Sequence, residues 1–327
     1  MLEDIGFYTM SDTRAAQAGP TSPLWRCELL LTDRCNFCCP YCRPLPQLAR
    51  GTLSYKAAED TCRMWLADGL KNVRFSGGEP TLWPGLERLV AFCRDGGCQR
   101  IAISTNGSAS TEKYDTLLAA GVDDFSVSLD GGCCATSETM CGNVPGSWER
   151  VTENIRYLAA RAYTTVGMVF TEQNIGEATK AVLFAHSLSV ADIRIIPSAQ
   201  YNRALRILAH TLPEAVLDCH PILRYRINNI RVGRHVRGND ENHLPCWLAL
   251  DDMAVAGQHH WPCIIHLREG GQPIGEVNGS IRRDRAQWVS KFNPGTDPIC
   301  RQMCLDVCID YRRTVTAFRT AARDVEA

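Results

Sequence analysis

The run from Thr32 to Arg43 reads TDRCNFCCPYCR and sets Cys35, Cys39 and Cys42 in a C-x3-C-x2-C spacing. Three thiolates on one short loop can hold three corners of a four-iron cluster and leave one iron open to a ligand. A tetrahedral zinc site usually wants four protein donors, commonly as two C-x2-C pairs. A zinc knuckle and a set of unpaired buried thiols are the competing readings of the spacing. Cys38 lies inside the motif, but its use would crowd two thiolates on adjacent residues, so it is read as a bystander.

Such a loop needs a rigid support, and the flanking sequence predicts one. Strand-like runs are read at 25–31, 73–75, 100–104, 124–128, 165–170 and 192–196. Helical runs are read at 55–68, 86–94, 113–120, 147–162 and 175–187, with Ser54 as an N-cap. Strands alternating with helices mean βα units and a parallel sheet, with functional residues at the strand C-termini. Residues 198–245 are rich in Arg, Asn and His and show no clear alternation. Residues 10–22 and 317–327 are small or polar and are expected to be mobile.

Composition narrows the class. Hydrophobic residues make up 45% and charged residues 22%, and the formal net charge is −1. Bulk charge therefore argues for neither nucleic acid nor a membrane surface as partner. No apolar run reaches the roughly 18 residues of a membrane helix, and no secretory leader is read at the start. Seventeen cysteines without such a leader point to metal binding in a reducing cytoplasm rather than to disulfides.

The cysteine loop resembles the signature of the radical S-adenosylmethionine (SAM) enzymes. Further motifs follow in that family's order: Gly77, Gly78, Glu79 and Pro80 form its GGEP turn, then Ser104 to Gly107 and Ser126 to Asp130. The resemblance implies an α/β fold, a partial (β/α)6 TIM barrel, with a [4Fe-4S] cluster on Cys35, Cys39 and Cys42. SAM binds the open iron and is cleaved to methionine and a 5′-deoxyadenosyl radical. It implies that Gly77, Gly78 and Glu79 bind the methionine part of SAM and that Tyr41 packs near the adenine. Ser104, Asn106, Ser128 and Asp130 are placed at the ends of the fourth and fifth strands, lining the ribose and the substrate. The glycines are expected to let the backbone approach the ligand, and Glu79 to accept from its ammonium group. Cys133, Cys134 and Cys141 are hydrogen-atom donor candidates, against the reading of inert buried thiols. An electron donor such as flavodoxin or ferredoxin is implied.

Five more cysteines lie near the C-terminus: Cys246, Cys263, Cys300, Cys304 and Cys308. The first two flank a predicted hairpin turning at Gly257. The last three share one face if their run is a single helix. The tail resembles the auxiliary-cluster extensions called SPASM and twitch domains, and implies a second [4Fe-4S] cluster on Cys246, Cys263 and at least two of the other three. A structural zinc site on the same thiols is the alternative. The expected division is an extension over 1–24, a barrel over 25–197, a linker or substrate-side segment over 198–245, and a small Cys-rich α+β, twitch-like domain over 246–327. The substrate is expected to be a small polar molecule, a sugar, aminocyclitol or nucleotide-like compound of the kind handled in natural product pathways. Its anionic groups would find Arg194, Arg203, Arg224, Arg226, Arg231, Arg234 or Arg237. Peptide modification, molybdopterin-type GTP cyclisation and a non-catalytic cluster-binding regulator stay open.

Overall fold

The computed structural model describes residues 1–197, 200–234, 236–238 and 244–326, with side chains as far as residue 322. Within the 198–245 segment, residues 198, 199, 235 and 239–243 lie outside the described residues. Six parallel strands run β1 (Arg26–Thr32), β2 (Asn72–Gly77), β3 (Arg100–Thr105), β4 (Asp124–Ser128), β5 (Tyr163–Met168) and β6 (Asp192–Ile195). They are hydrogen-bonded in chain order and joined by helices, as βα alternation requires. The motif-bearing ends of β3 and β4 are thus the third and fourth strands, not the fourth and fifth.

Alternation along each strand separates two faces. Leu29, Phe75, Ile103, Phe125, Val127, Val166 and Ile193 pack outward against Trp65, Leu86, Tyr114 and Ile155 of the surrounding helices. The opposite, inward face is polar. Ser76 Oγ donates to Glu28 Oε1 at 2.6 Å, and Arg74 Nη1 donates to Ser104 Oγ at 2.8 Å.

The C-terminal hairpin is β7 (Asp252–Ala256) and β8 (His259–Trp261), turning at Gly257 with φ +57°. It does not form a separate sheet. β7 pairs in parallel with β1, from Arg26 opposite Asp252 to Leu30 opposite Ala256, and β9 (Gly275–Glu276) closes the edge. The sheet is therefore nine strands wide in the order β6-β5-β4-β3-β2-β1-β7-β8-β9.

Three expectations are corrected. Residues 10–22 are packed rather than mobile. Met10, Ala15 and Ala18 join a core with Val307, Tyr311 and Val315, and the buried Arg14 guanidinium is held by Asp251, with Nε donating to Oδ2 at 3.0 Å. A buried charge so paired cannot be released cheaply. The 198–245 segment carries helices Tyr201–Thr211, Glu214–Asp218 and Pro221–Arg231. The first buries Tyr201, Ala204, Leu205, Leu208 and Ala209, a helical period masked by its Arg- and Asn-rich outer face. Finally, Cys300, Cys304 and Cys308 are not on one helix. The chain is extended at Cys304 (φ −61°, ψ 138°) between helices Pro298–Met303 and Asp306–Glu326. The break is fixed at Asp306, whose buried carboxylate meets Arg226 and accepts from Asn229 Nδ2 at 2.6 Å.

Candidate radical centre and auxiliary thiol site

The Cys35–Cys42 loop leaves the C-terminal end of β1. The turn after β2 is pressed against its root. Gly78 N–H donates to Thr32 O at 2.6 Å and Glu79 N–H to Arg34 O at 2.8 Å. A Cβ on Gly77 would stand 2.3 Å from Thr32 O, and one on Gly78 2.2 Å from Arg34 O. The two glycines are thus required for the turn to dock on the cysteine loop.

Glu79 is fully buried and its carboxylate is already engaged. Oε1 accepts from Thr81 N–H (3.0 Å), Thr81 Oγ1 (2.6 Å) and Thr105 Oγ1 (2.8 Å), and Oε2 accepts from Asn106 N–H (2.7 Å). Burial raises its pKa, and those four donors oppose the rise. Through these bonds the carboxylate ties the turn to the end of β3. Asn106 carries the link onward, with Nδ2 2.8 Å from Asn36 Oδ1 and 3.7 Å from Cys35 Sγ, which Phe37 N–H also approaches at 3.4 Å. Ser104 receives Arg74. Ser128, at the end of β4, is exposed.

Tyr41 Oη donates to Asp130 Oδ2, fastening the loop to the end of β4, and Val169 N–H donates to Asp130 Oδ1 at 2.6 Å. Burial pushes the Asp130 carboxyl up to about 6. Pro80 begins the short turn Pro80–Leu82 and is buried. Cys141 and Cys133 both lie beyond β4, Cys141 buried with Sγ 3.1 Å from Ser147 Oγ, and Cys133 with Sγ 3.7 Å from both carboxylate oxygens of Glu177. Cys134 lies instead beside Glu138 and Glu149. These three thiols therefore sit in three different environments.

The donor chemistry fits an iron–sulfur cluster. Cys35, Cys39 and Cys42 are free thiols open to solvent on one loop, and two N–H groups aim at Cys35 Sγ. In the tail, Cys246 precedes the short turn Trp247–Leu250, Cys263 caps helix Ile264–Arg268, and Cys300, Cys304 and Cys308 come from the broken helix. All five converge: the charge of Cys246 acts on Cys263, Cys300 and Cys304, and Cys304 lies within hydrogen-bond reach of Cys308. Burial pushes the Cys263 thiol up to about 12, while its contact with Cys304 lowers Cys308 to about 7. Among the described residues, only Cys134, Glu138 and Glu149 bring three such donor atoms within 4.8 Å of one another.

Of the arginines expected to meet a substrate, most are engaged elsewhere. Arg203, Arg224, Arg226, Arg231 and Arg234 pair with Glu172, Asp218, Asp306, Glu214 and Asp310. Arg237 Nε donates to Gln302 O at 3.2 Å. Arg194 is different. It projects from β6 beside Arg74, and its buried Nε has no hydrogen-bond partner. Burial and the charge of Arg74 lower its pKa. Arg74 was missed, although its place between Val73 and Phe75 marks it as inward-facing by the period of two.

Residues 29–185 match the family model described as the Radical SAM superfamily. A GTP 3',8-cyclase of Synechococcus sp. (strain CC9902) is 36% identical over 137 residues, 41% of this chain and 40% of the relative. A PqqA peptide cyclase of Streptomyces rochei is 30% identical over 198 residues, 57% and 51% of the two chains. The chain spans about half or less of the length of the curated relatives it matches. Among solved structures, native anSMEcpe with bound AdoMet aligns with a TM-score of 0.61 at 14% identity, covering 92% of this chain and 100% of that one. Streptococcus suis SuiB bound to precursor peptide SuiA gives 0.60 at 14% identity, covering 88% and 76%. These last two likenesses show the fold. The cysteine loop, the parallel sheet that carries it and the matched segment agree: residues 29–185 carry a radical SAM domain.

Proposed function

We propose that this protein is a radical SAM enzyme acting on a substrate with an anionic group, which it seats between Arg74 and Arg194 on the inward face of the barrel. Cys35, Cys39 and Cys42 hold the cluster that meets SAM, and four of the five tail thiols hold a second. When bound, such a cluster supplies the electron for reductive cleavage of SAM. The chain's own residues do the rest. Asn106 and Phe37 N–H support the Cys35 thiolate, Glu79 fixes the turn beside it, and Tyr41 with Asp130 fastens the loop's far end. The two arginines orient the substrate below the strand ends, where the sheet and its helices exclude water.

The observation that carries the reading is Arg194: a half-buried guanidinium, packed over the Phe7 ring, whose buried Nε has no hydrogen-bond partner and which lies beside a second arginine on the polar inward face of the sheet. Two cations held together in a low dielectric favour an anion between them. Among the expected sugar, aminocyclitol and nucleotide-like substrates, an anionic one is favoured accordingly. The relatives' names, a cyclase of GTP and a cyclase of a peptide, support a nucleotide or a peptide carboxylate. The two arginines favour the nucleotide.

The test is anaerobic reconstitution with SAM and dithionite, followed by mass spectrometry for 5′-deoxyadenosine with guanosine triphosphate, guanosine or a carboxylate peptide present. Stimulation by the triphosphate but not by the nucleoside is expected, and Arg194→Met should abolish it. Equal response to charged and uncharged compounds would remove the anion from the reading.

A further inference from the structure

The short helix Ile264–Arg268 joins two sites that the sequence holds far apart. At its start, Cys263 Sγ accepts from His266 N–H at 3.4 Å, so one of the tail thiols is also the helix cap. His266 Nε2 stands 3.7 Å from Asp297, whose Oδ1 accepts from Cys300 N–H at 2.7 Å, so a second tail thiol is placed from the same helix. Leu267 is buried with Trp261, Leu30 and Ala256, which anchors the helix on the edge of the sheet. At the other end, Arg268 Nη2 donates to Gly77 O at 2.9 Å, and Glu269 pairs with Arg43, the residue after Cys42.

These end contacts fall on the two loops of the first site. Gly77 has φ +138°, a conformation that only glycine takes readily. Its carbonyl is gripped by the Arg268 guanidinium. The following N–H groups, of Gly78 and Glu79, are those that dock the turn on Thr32 and Arg34. The Arg43–Glu269 pair holds the far side of the cysteine loop, and Glu269 is only 19% exposed, so the pair is partly shielded from solvent.

We propose that helix Ile264–Arg268 is a positioning element that transmits the seating of the tail thiols to the SAM-side loops, with Arg268 and Glu269 as its positioning residues. The inference rests on the proposed SAM chemistry of Cys35, Cys39 and Cys42. An ordered tail site fixes the start of the helix through Cys263 and His266. The fixed helix then holds the Gly77 carbonyl and Arg43 in the arrangement that SAM requires.

The experiment is equilibrium dialysis of labelled SAM against the anaerobically reconstituted full chain, with iron content measured on each sample. Arg268→Met should raise the SAM Kd about 10-fold, the effect of losing one charge-assisted contact, with iron unchanged. Arg268→Lys, which keeps a donor for the carbonyl, should recover most of that loss. Glu269→Arg should weaken SAM binding, and adding Arg43→Glu should restore it. A Cys263→Ser, Cys300→Ser double variant should lose SAM affinity to a similar degree, and Arg268→Met should then add little, because both act through one element. Equal SAM affinity for Arg268→Met and wild type, or full additivity with the tail variant, overturns the proposal. If Arg268→Met does not fold, the Arg43–Glu269 exchange decides: failure of the second substitution to restore binding overturns it. Wild-type protein that holds iron in the tail but binds no SAM would instead overturn the chemistry assigned to Cys35, Cys39 and Cys42.

Discussion

Glu79 shows how much of a motif residue's surroundings the local sequence leaves unsaid. Its position in the turn after β2 follows from the local sequence. Its carboxylate, however, meets donors from Thr81, Thr105 and Asn106, two of them on another strand end. Glu79→Ala leaves those buried donors without an acceptor, so a loss of about 3 kcal/mol in unfolding free energy is expected. Because Asn106 also reaches Cys35 Sγ, iron content should fall together with SAM binding. Denaturant unfolding and an iron assay on the same sample check this; full iron occupancy with normal stability would return Glu79 to the ligand. Arg194 could be suspected from its charge in a strand, but not distinguished from Arg226 or Arg234, whose partners Asp306 and Asp310 lie far along the chain.

At the level of elements, the hairpin turning at Gly257 is legible because a short apolar run ends at a turn glycine and a second short run follows it. The convergence of Cys263 with Cys246, Cys300, Cys304 and Cys308 is expected only from the resemblance, and the helix break at Cys304, beside Asp306 with its partners Arg226 and Asn229, is not legible at all. Replacing Cys35, Cys39 and Cys42 by Ala should leave about four irons per chain in the tail, with an absorbance that bleaches on reduction. Replacing Cys246 and Cys263 should leave about four in the front loop. Zinc in the tail after anaerobic preparation would mark it as purely structural.

Across the whole molecule, β7 pairing with β1 joins the barrel and the tail in one sheet, and the helix Asp12–Gln17 is clamped to Asp251 beside β7. On the far edge, Asp192 of β6 accepts N–H groups of Ile222 and Ile193 at 2.8 Å. Burial pushes its carboxyl up to about 6, so between its ordinary value and pH 6 the folded state holds more protons than the unfolded one. This group's contribution to stability is greatest at acid pH and is lost as pH rises through that window. Asp192→Asn removes the term, and the stability of the variant relative to wild type should rise from pH 4 to pH 6.5, at most about 1.4 kcal/mol per pH unit. Chemical denaturation across that range checks it; parallel curves would mean that Asp192 is charged throughout. Among the described residues, no helix is long and apolar enough to cross a membrane.

The sequence by itself determined the cysteine loop, the βα order of β1 to β6 and the hairpin, because each is written in spacings of a few residues: ligand intervals, periods of 2 and 3.6, and a turn glycine. What the tertiary structure decided is who meets whom across long separations. It gave the glycines of the turn a docking partner in Thr32 and Arg34, gave Glu79 to β3, and left Arg194 Nε without a hydrogen-bond partner beside Arg74. It also brought Arg268 to the carbonyl of Gly77. Such pairings depend on strand order and on the placement of helices against the sheet, and no local spacing encodes them.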